Sequence, residues 1–134
     1  MTERLDVVGI GNAMVDAIIP SNKNEIEKHQ INRDSMNLID EDLKNNLHNS
    51  YSIKDMVGGG SLGNSMFGIT SFGGNGSFIG KIKNDDIGTY LQKDMVREGL
   101  KFPLGFTSPD ISTGCCTIFV EEDGTRTMCT FLGA

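Results

Sequence analysis

Gly58-Gly59-Gly60-Ser61-Leu62-Gly63-Asn64-Ser65 sets four glycines within six residues and runs straight into an apolar stretch with helical spacing. Glycine loses more conformational freedom on folding than any other residue. A cluster of it therefore has a use where positive φ or close backbone approach is needed. Taken alone, the run suits either a small polar ligand held against bare backbone or a plain flexible connector. Its flanks carry the rest of the reading.

Upstream, residues 4–10 contain Leu5, Val7, Val8 and Ile10, a β-branched run that predicts a buried strand closing in Gly9-Ile10-Gly11. Asn12 and Asp16 follow just past its carboxyl end, the edge at which open α/β sheets bind ligands. Asp16 is either a turn or capping aspartate or a ligand contact. Ala17-Ile18-Ile19-Pro20 is a second extended piece. Residues 24–30 predict a short polar helix or turn, and 35–39 a strand with Met36 and Leu38 on one face. Asp40 is placed to cap a helix to about residue 50, with Leu43, Leu47 and Tyr51 inward. Asp55-Met56-Val57 is too short to establish a strand by itself.

Downstream, a helix over 62–72 is expected to bury Met66, Phe67, Ile69 and Phe72 and to stop at Gly73-Gly74. Residues 77–82 predict a second core strand. Asn84-Asp85-Asp86 then opens a helix with Ile87, Leu91, Met95 and Leu100 at helical spacing. After a loop with Pro103 and Pro109, the runs 113–121 and 126–132 flank Asp123-Gly124, a hairpin signal, with Phe119 and Phe131 expected to pack on it. Strands alternating with helices make this an α/β chain.

Bulk properties narrow the function. The chain has 134 residues, 37% of them hydrophobic, enough for one domain with its own core. Its 17 glycines follow no G-X-Y period and so belong to turns and ligand-approaching loops rather than a fibre. A formal charge of -6 leaves no broad basic surface, so nucleic acid is not expected as a partner. Residues 1–6 lack the apolar core of a signal segment, and no apolar run approaches the ~20 residues that span a bilayer. The chain reads as cytoplasmic, without membrane association. Cys115, Cys116 and Cys129 form no C-x-x-C pair and have no histidine at ligand spacing, so no metal site is expected. His29 and His48 fall in polar helical stretches and are assigned no role.

Gly58-x-Gly60-x-x-Gly63 matches the dinucleotide string. It follows no secure strand, however, and no ribose-binding acid stands twenty residues on, which leaves an NAD-binding domain as a minor alternative. Gly80-Lys81 is followed by Ile82, so there is no P-loop. A sugar cradle fits the residues better. Asp16 can accept from two adjacent hydroxyls, Asn12 and Asn64 can donate and accept, and bare Gly59-Gly60 lets a ring lie on backbone. The helix start beyond adds free N–H groups and a positive dipole end.

Gly11-Asn12-x-x-x-Asp16, Gly59-Gly60-Ser61-x-x-Asn64-Ser65, Gly73, Phe78-Ile79-Gly80-Lys81-Ile82-x-x-Asp85-Asp86-x-Gly88 and Asp123-Gly124-x-Arg126-Thr127-Met128 stand here in order. Together with the closing Phe131-Leu132-Gly133-Ala134, they resemble the amino-terminal half of ribokinase-like (PfkB-type) carbohydrate kinases. Among these the chain is most similar to adenosine kinases and related bacterial sugar kinases. The resemblance implies the amino-terminal part of a three-layer α/β/α domain with a small β-sheet lid, its strands near 16–20, 35–39, 113–121 and 126–132. It implies transfer of a phosphoryl group from ATP, with Mg, to a hydroxymethyl group of a sugar or nucleoside.

By the same resemblance Asn12, Asp16, Gly59, Gly60 and Asn64 would hold ribose-like hydroxyls. Met36, Leu38, Cys116 and Arg126 would make lid contacts, Arg126 toward the phosphates. Read from the residue alone, Cys116 is a small buried hydrophobe. Leu62, Met66 and Lys83 depart from the family pattern and blur the substrate. The family's catalytic aspartate, in Gly-Ala-Gly-Asp, and its ATP loops have no counterpart in this chain, and Asp85-Asp86 is structural in the family. The expectation is thus an incomplete domain, inactive alone. The alternative is a stand-alone sugar-binding module, or one that forms a homodimer through its lid sheet, whose edges invite pairing.

Overall fold

The computed structural model describes residues 4–134. The first elements are β1 (Val7–Ile10), β2 (Met14–Pro20), α1 (Lys23–Glu27), β3 (Met36–Leu38), α2 (Glu41–Ser50) and β4 (Asp55–Gly59). They are followed by α3 (Ser61–Ser71), β5 (Gly76–Ile79), β6 (Ile82–Lys83), α4 (Asp86–Arg97), β7 (Phe106–Ser108), β8 (Gly114–Val120) and β9 (Arg126–Phe131). β1 pairs with β5 and β6 with β7, both in parallel, while the other strands make one sheet of order β3-β9-β8-β2-β4.

Period-two alternation gives that sheet two unlike faces. In β2 it buries Val15, Ala17 and Ile19 on one side and turns Asp16 and Ile18 to the other. β8 runs parallel to β2 with Cys116 beside Asp16 and Ile118 beside Ile18. β9 sets Thr130 and Met128 against these from the other side, and β3 adds Met36 and Leu38 at the edge. The opposite face is covered by the short helices, with Ile19, Ile26, Leu47, Phe119 and Cys129 buried together and Leu43 and Tyr51 against them. Tyr51 meets Phe119 edge to face at 5.3 Å. A second core joins Val15, Met66, Phe78, Leu91 and Met95 between the β1–β5 pair, α3 and α4. Fully burying side chains such as Phe78 or Leu91 stabilises the fold by about 1.5–3 kcal/mol each.

Asp40 caps α2 through the Leu43 amide at 2.8 Å, and Asp85 caps α4 through the Gly88 amide at 2.7 Å. Both follow the expected pattern of a short side-chain acceptor at a helix start. Several expectations are corrected. Asp55-Met56-Val57 does begin a strand, which pairs antiparallel with β2 and takes in Gly58 and Gly59. The glycine run is therefore a strand end and a helix cap rather than a loop. Phe72 is 94% exposed, because α3 stops at Ser71 and the chain turns at Gly73 (φ 85°). Leu100 is buried, yet it lies beyond α4.

The strand expected over 77–82 is split, with β5 pairing with β1 and β6 with β7. The loop around Pro103 and Pro109 contains β7. The first strand is not a buried one. Val7, Val8 and Ile10 are exposed and only Gly9 is buried, because among the described residues β1 has a partner strand on one side alone. Among the described residues, no helix is long and apolar enough to cross a membrane.

Candidate functional site

Asp16 stands mid-strand on the open face of the five-stranded sheet, half-buried, and receives no hydrogen bond from the described residues. Burial holds its carboxyl above the ordinary carboxylate range, since desolvation disfavours the charged form. It lines a concavity of about 380 Å³ together with Ile18, Val57, Ile118, Val120 and Arg126. Apolar walls around one acceptor and one cation are the usual make-up of a small-molecule site.

Gly59 lies against Asp16, and a β-carbon built there would overlap the carboxylate. Gly60 then turns the chain with φ 77°, a region glycine enters without strain, and becomes the N-cap of α3 with no side-chain cap of its own. A β-carbon on Gly60 would come within 2.9 Å of Met14 and 3.8 Å of the Asn12 carbonyl, so Asn12 borders the same corner. Asn64 is in the first turn of α3, its amide bonded to the Gly60 carbonyl at 2.9 Å. Both asparagine side chains are exposed.

The remaining residues named from the sequence lie on the same sheet face. Cys116 is next to Asp16, 6% exposed, and accepts from the Thr130 hydroxyl at 3.4 Å. Burial raises its thiol pKa, which favours the neutral form. Arg126 shares the concavity with Asp16. Met36 and Leu38 are exposed on the far edge strand, outside the concavity. The sequence reading missed Ile18, Val57, Ile118 and Val120 as wall residues. The alternation of β8 carries the last two, but Val57 needed β4 to be recognised as a strand. His48 stands outside the concavity. It is half-buried on the covered face, 2.9 Å from the Thr117 hydroxyl, with its pKa lowered first by burial and then by Lys44.

The model of the pfkB family carbohydrate kinases matches residues 5–134. The chain belongs to this family. Its fold matches a probable sugar kinase from Rhizobium etli CFN 42 with TM-score 0.85 at 33% identity, over 98% of this chain and 40% of that one. An adenosine kinase from Sinorhizobium meliloti matches with TM-score 0.86 at 35% identity, with the same shares covered. Anopheles gambiae adenosine kinase, at 22% identity and TM-score 0.81, shares the fold over 95% of this chain and 39% of its own. No curated protein sequence matches the chain. This pfkB-family chain thus spans about 40% of the length of its solved relatives, and its architecture is the corresponding part of the ribokinase-like α/β fold.

The family implies a triphosphate donor with a metal ion, and the lining of the open-face concavity does not fit one. No three His, Cys, Asp or Glu side chains among the described residues are grouped to hold a metal. Arg126 is the single cation lining the concavity, and Asp16 the single carboxylate. The dinucleotide alternative fails on topology as well. The string begins in β4, which is antiparallel to β2, and α3 leads on to β5 in a different sheet, not to a parallel neighbour of β4.

Proposed function

We propose that this chain is the acceptor-binding part of an ATP-dependent kinase that phosphorylates a hydroxymethyl group of a sugar or nucleoside, adenosine- or ribose-like. The observation that carries the reading is the half-buried Asp16 carboxylate, without a hydrogen bond from the described residues and turned to an open concavity beside Gly59. Leaving a partly desolvated acceptor unpaired is costly, and two neighbouring ring hydroxyls satisfy it. Membership of the pfkB family and the similarity to a probable sugar kinase and an adenosine kinase support the same class.

On this reading Gly59 and Gly60 let the ring lie against backbone, and Asn12 and Asn64 supply donors and acceptors beside it. The five-stranded sheet is the lid, with Met36, Leu38 and Cys116 toward the substrate and Arg126 toward the phosphate. The chain's contribution to rate is to fix the acceptor hydroxyl in place. The donor, ATP with Mg, is bound by sequence outside this chain, which has no turnover by itself.

Assays of the full-length gene product with MgATP and adenosine, ribose or fructose test the reading, with the 134-residue chain beside it. Phosphorylation by the full-length product alone is expected. Turnover by the 134-residue chain overturns its assignment as an acceptor part, and no turnover of any of the three overturns the substrate class. The exposed Met36, Leu38 and Val57 favour one addition, a homodimer through this sheet. Sedimentation that finds only monomer removes it.

A further inference from the structure

Among the described residues β4 is an edge strand, with β2 on one side only. Such an edge presents unpaired N–H and C=O groups outward, a template for stray pairing. Here two of these groups are taken by α4. The Gly58 amide donates to Asp94 Oδ2 at 2.9 Å, and the Tyr90 hydroxyl donates to the Met56 carbonyl. The match is geometric. Four helical residues rise about 6 Å, and two strand residues advance about 6.6–6.8 Å. Tyr90 and Asp94 therefore meet Met56 and Gly58 in the same order. Asp94 is 5% exposed, and Arg97 holds its other oxygen.

The two glycines of β4 face opposite ways. A β-carbon on Gly58 would come within 2.7 Å of Asp94 Oδ2 and 2.8 Å of the Phe67 ring, whereas one on Gly59 would overlap Asp16. The strand thus has a carboxylate against each side, one structural and one turned to the concavity. We infer that Asp94, with Tyr90, is a positioning residue for the acceptor pocket: in place of a further strand, it fixes the Gly58-Gly59 backbone against which Asp16 is set. The inference rests on the acceptor-binding reading above.

The test uses the full-length gene product and whichever of adenosine or ribose it phosphorylates. Asp94→Ala is expected to raise the KM for that acceptor about tenfold or more, with the KM for ATP unchanged. Asp94→Asn, whose amide oxygen still accepts from Gly58, stays within about threefold. A purely supporting role lowers the active fraction, and so kcat, and moves neither KM.

An unchanged acceptor KM in Asp94→Ala, with Asp16→Asn still raising it, overturns the inference and leaves the pocket standing. An unchanged KM in Asp16→Asn overturns the pocket and the inference with it. Should Asp94→Ala fail to fold, Tyr90→Phe decides. It removes one hydroxyl, and a raised acceptor KM with faster amide exchange at Gly58 and Gly59 supports positioning. No change in either overturns it.

Discussion

The Asp16 carboxylate sits so close to the Cα of Gly59 that a β-carbon there would overlap its carboxyl carbon and both oxygens. The overlap involves atoms on the first rotatable bond of Asp16, so relief requires the whole carboxylate to swing away. Gly59→Ala is therefore expected to raise the acceptor KM about ten- to a hundredfold, the loss of a charge-assisted hydrogen bond. Stability is expected to fall by about 1–3 kcal/mol from overpacking. Steady-state kinetics with both substrates and urea denaturation check the two effects separately.

Asp16 also predicts a pH signature. Burial raises its folded pKa, so the folded state holds this proton more tightly than the unfolded chain, and the ionised group opposes folding. The penalty is absent below the unfolded value near ~3.9 and grows as pH rises from there through the folded value. Asp16→Asn is expected to raise the Tm of the ligand-free protein at pH 7 and to leave it unchanged at pH 3. It should also lower kcat/KM for the acceptor, a cost of about 1.5–3 kcal/mol. Equal Tm gains at both pH values would remove burial of charge as the cause.

What the sequence made legible was local. Asp40 and Asp85 are short acceptors before apolar runs, and Asp123-Gly124 lies between two extended ones; each signal fits inside one element, and each element formed. Phe72 and Ile10 were misread because apolar spacing predicts a face without telling whether anything covers it. The pairing of Asp16 with the glycines was only half legible. Their chemistry suggested a cradle, but the contact depends on β4 lying antiparallel to β2, a long-range pairing that Asp55-Met56-Val57 is too short to announce. Asp94 behind Gly58 was invisible for the same reason, since it looks like any polar residue on an amphipathic helix.

His48 carries the opposite pH signature. Its folded pKa is lowered by burial and by Lys44, so the unfolded chain takes up a proton that the folded one resists. Its stabilising contribution is complete above the unfolded value near ~6.5 and is lost as pH falls from there through the folded value. The Tm of the wild-type protein is expected to drop between pH 7 and 5. His48→Gln, which cannot titrate, flattens that part of the curve. A His48→Gln profile parallel to the wild type would assign the slope to other groups.

Asp85 joins two parts of the fold that share no strand. Its Oδ1 accepts from the Gly88 amide at 2.7 Å and the Thr113 hydroxyl at 2.8 Å, and its Oδ2 accepts from the Thr113 amide at 3.0 Å. It thereby ties the start of α4, the helix that brings Tyr90 and Asp94 to β4, to the residue leading into β8 and Cys116. Asp85→Ala removes the cap, worth about 1 kcal/mol, and leaves the buried Thr113 amide unpaired at about 1–3 kcal/mol, while the Thr113 hydroxyl keeps its bonds to the Lys83 backbone. The expected loss is about 3 kcal/mol in urea denaturation. Asp85→Asn keeps the Oδ1 acceptor but sets an amide N–H₂ against the Thr113 N–H, so its loss should fall between wild type and Asp85→Ala. That order of midpoints assigns the stability to the acceptor set, and three equal midpoints would show that it contributes nothing net.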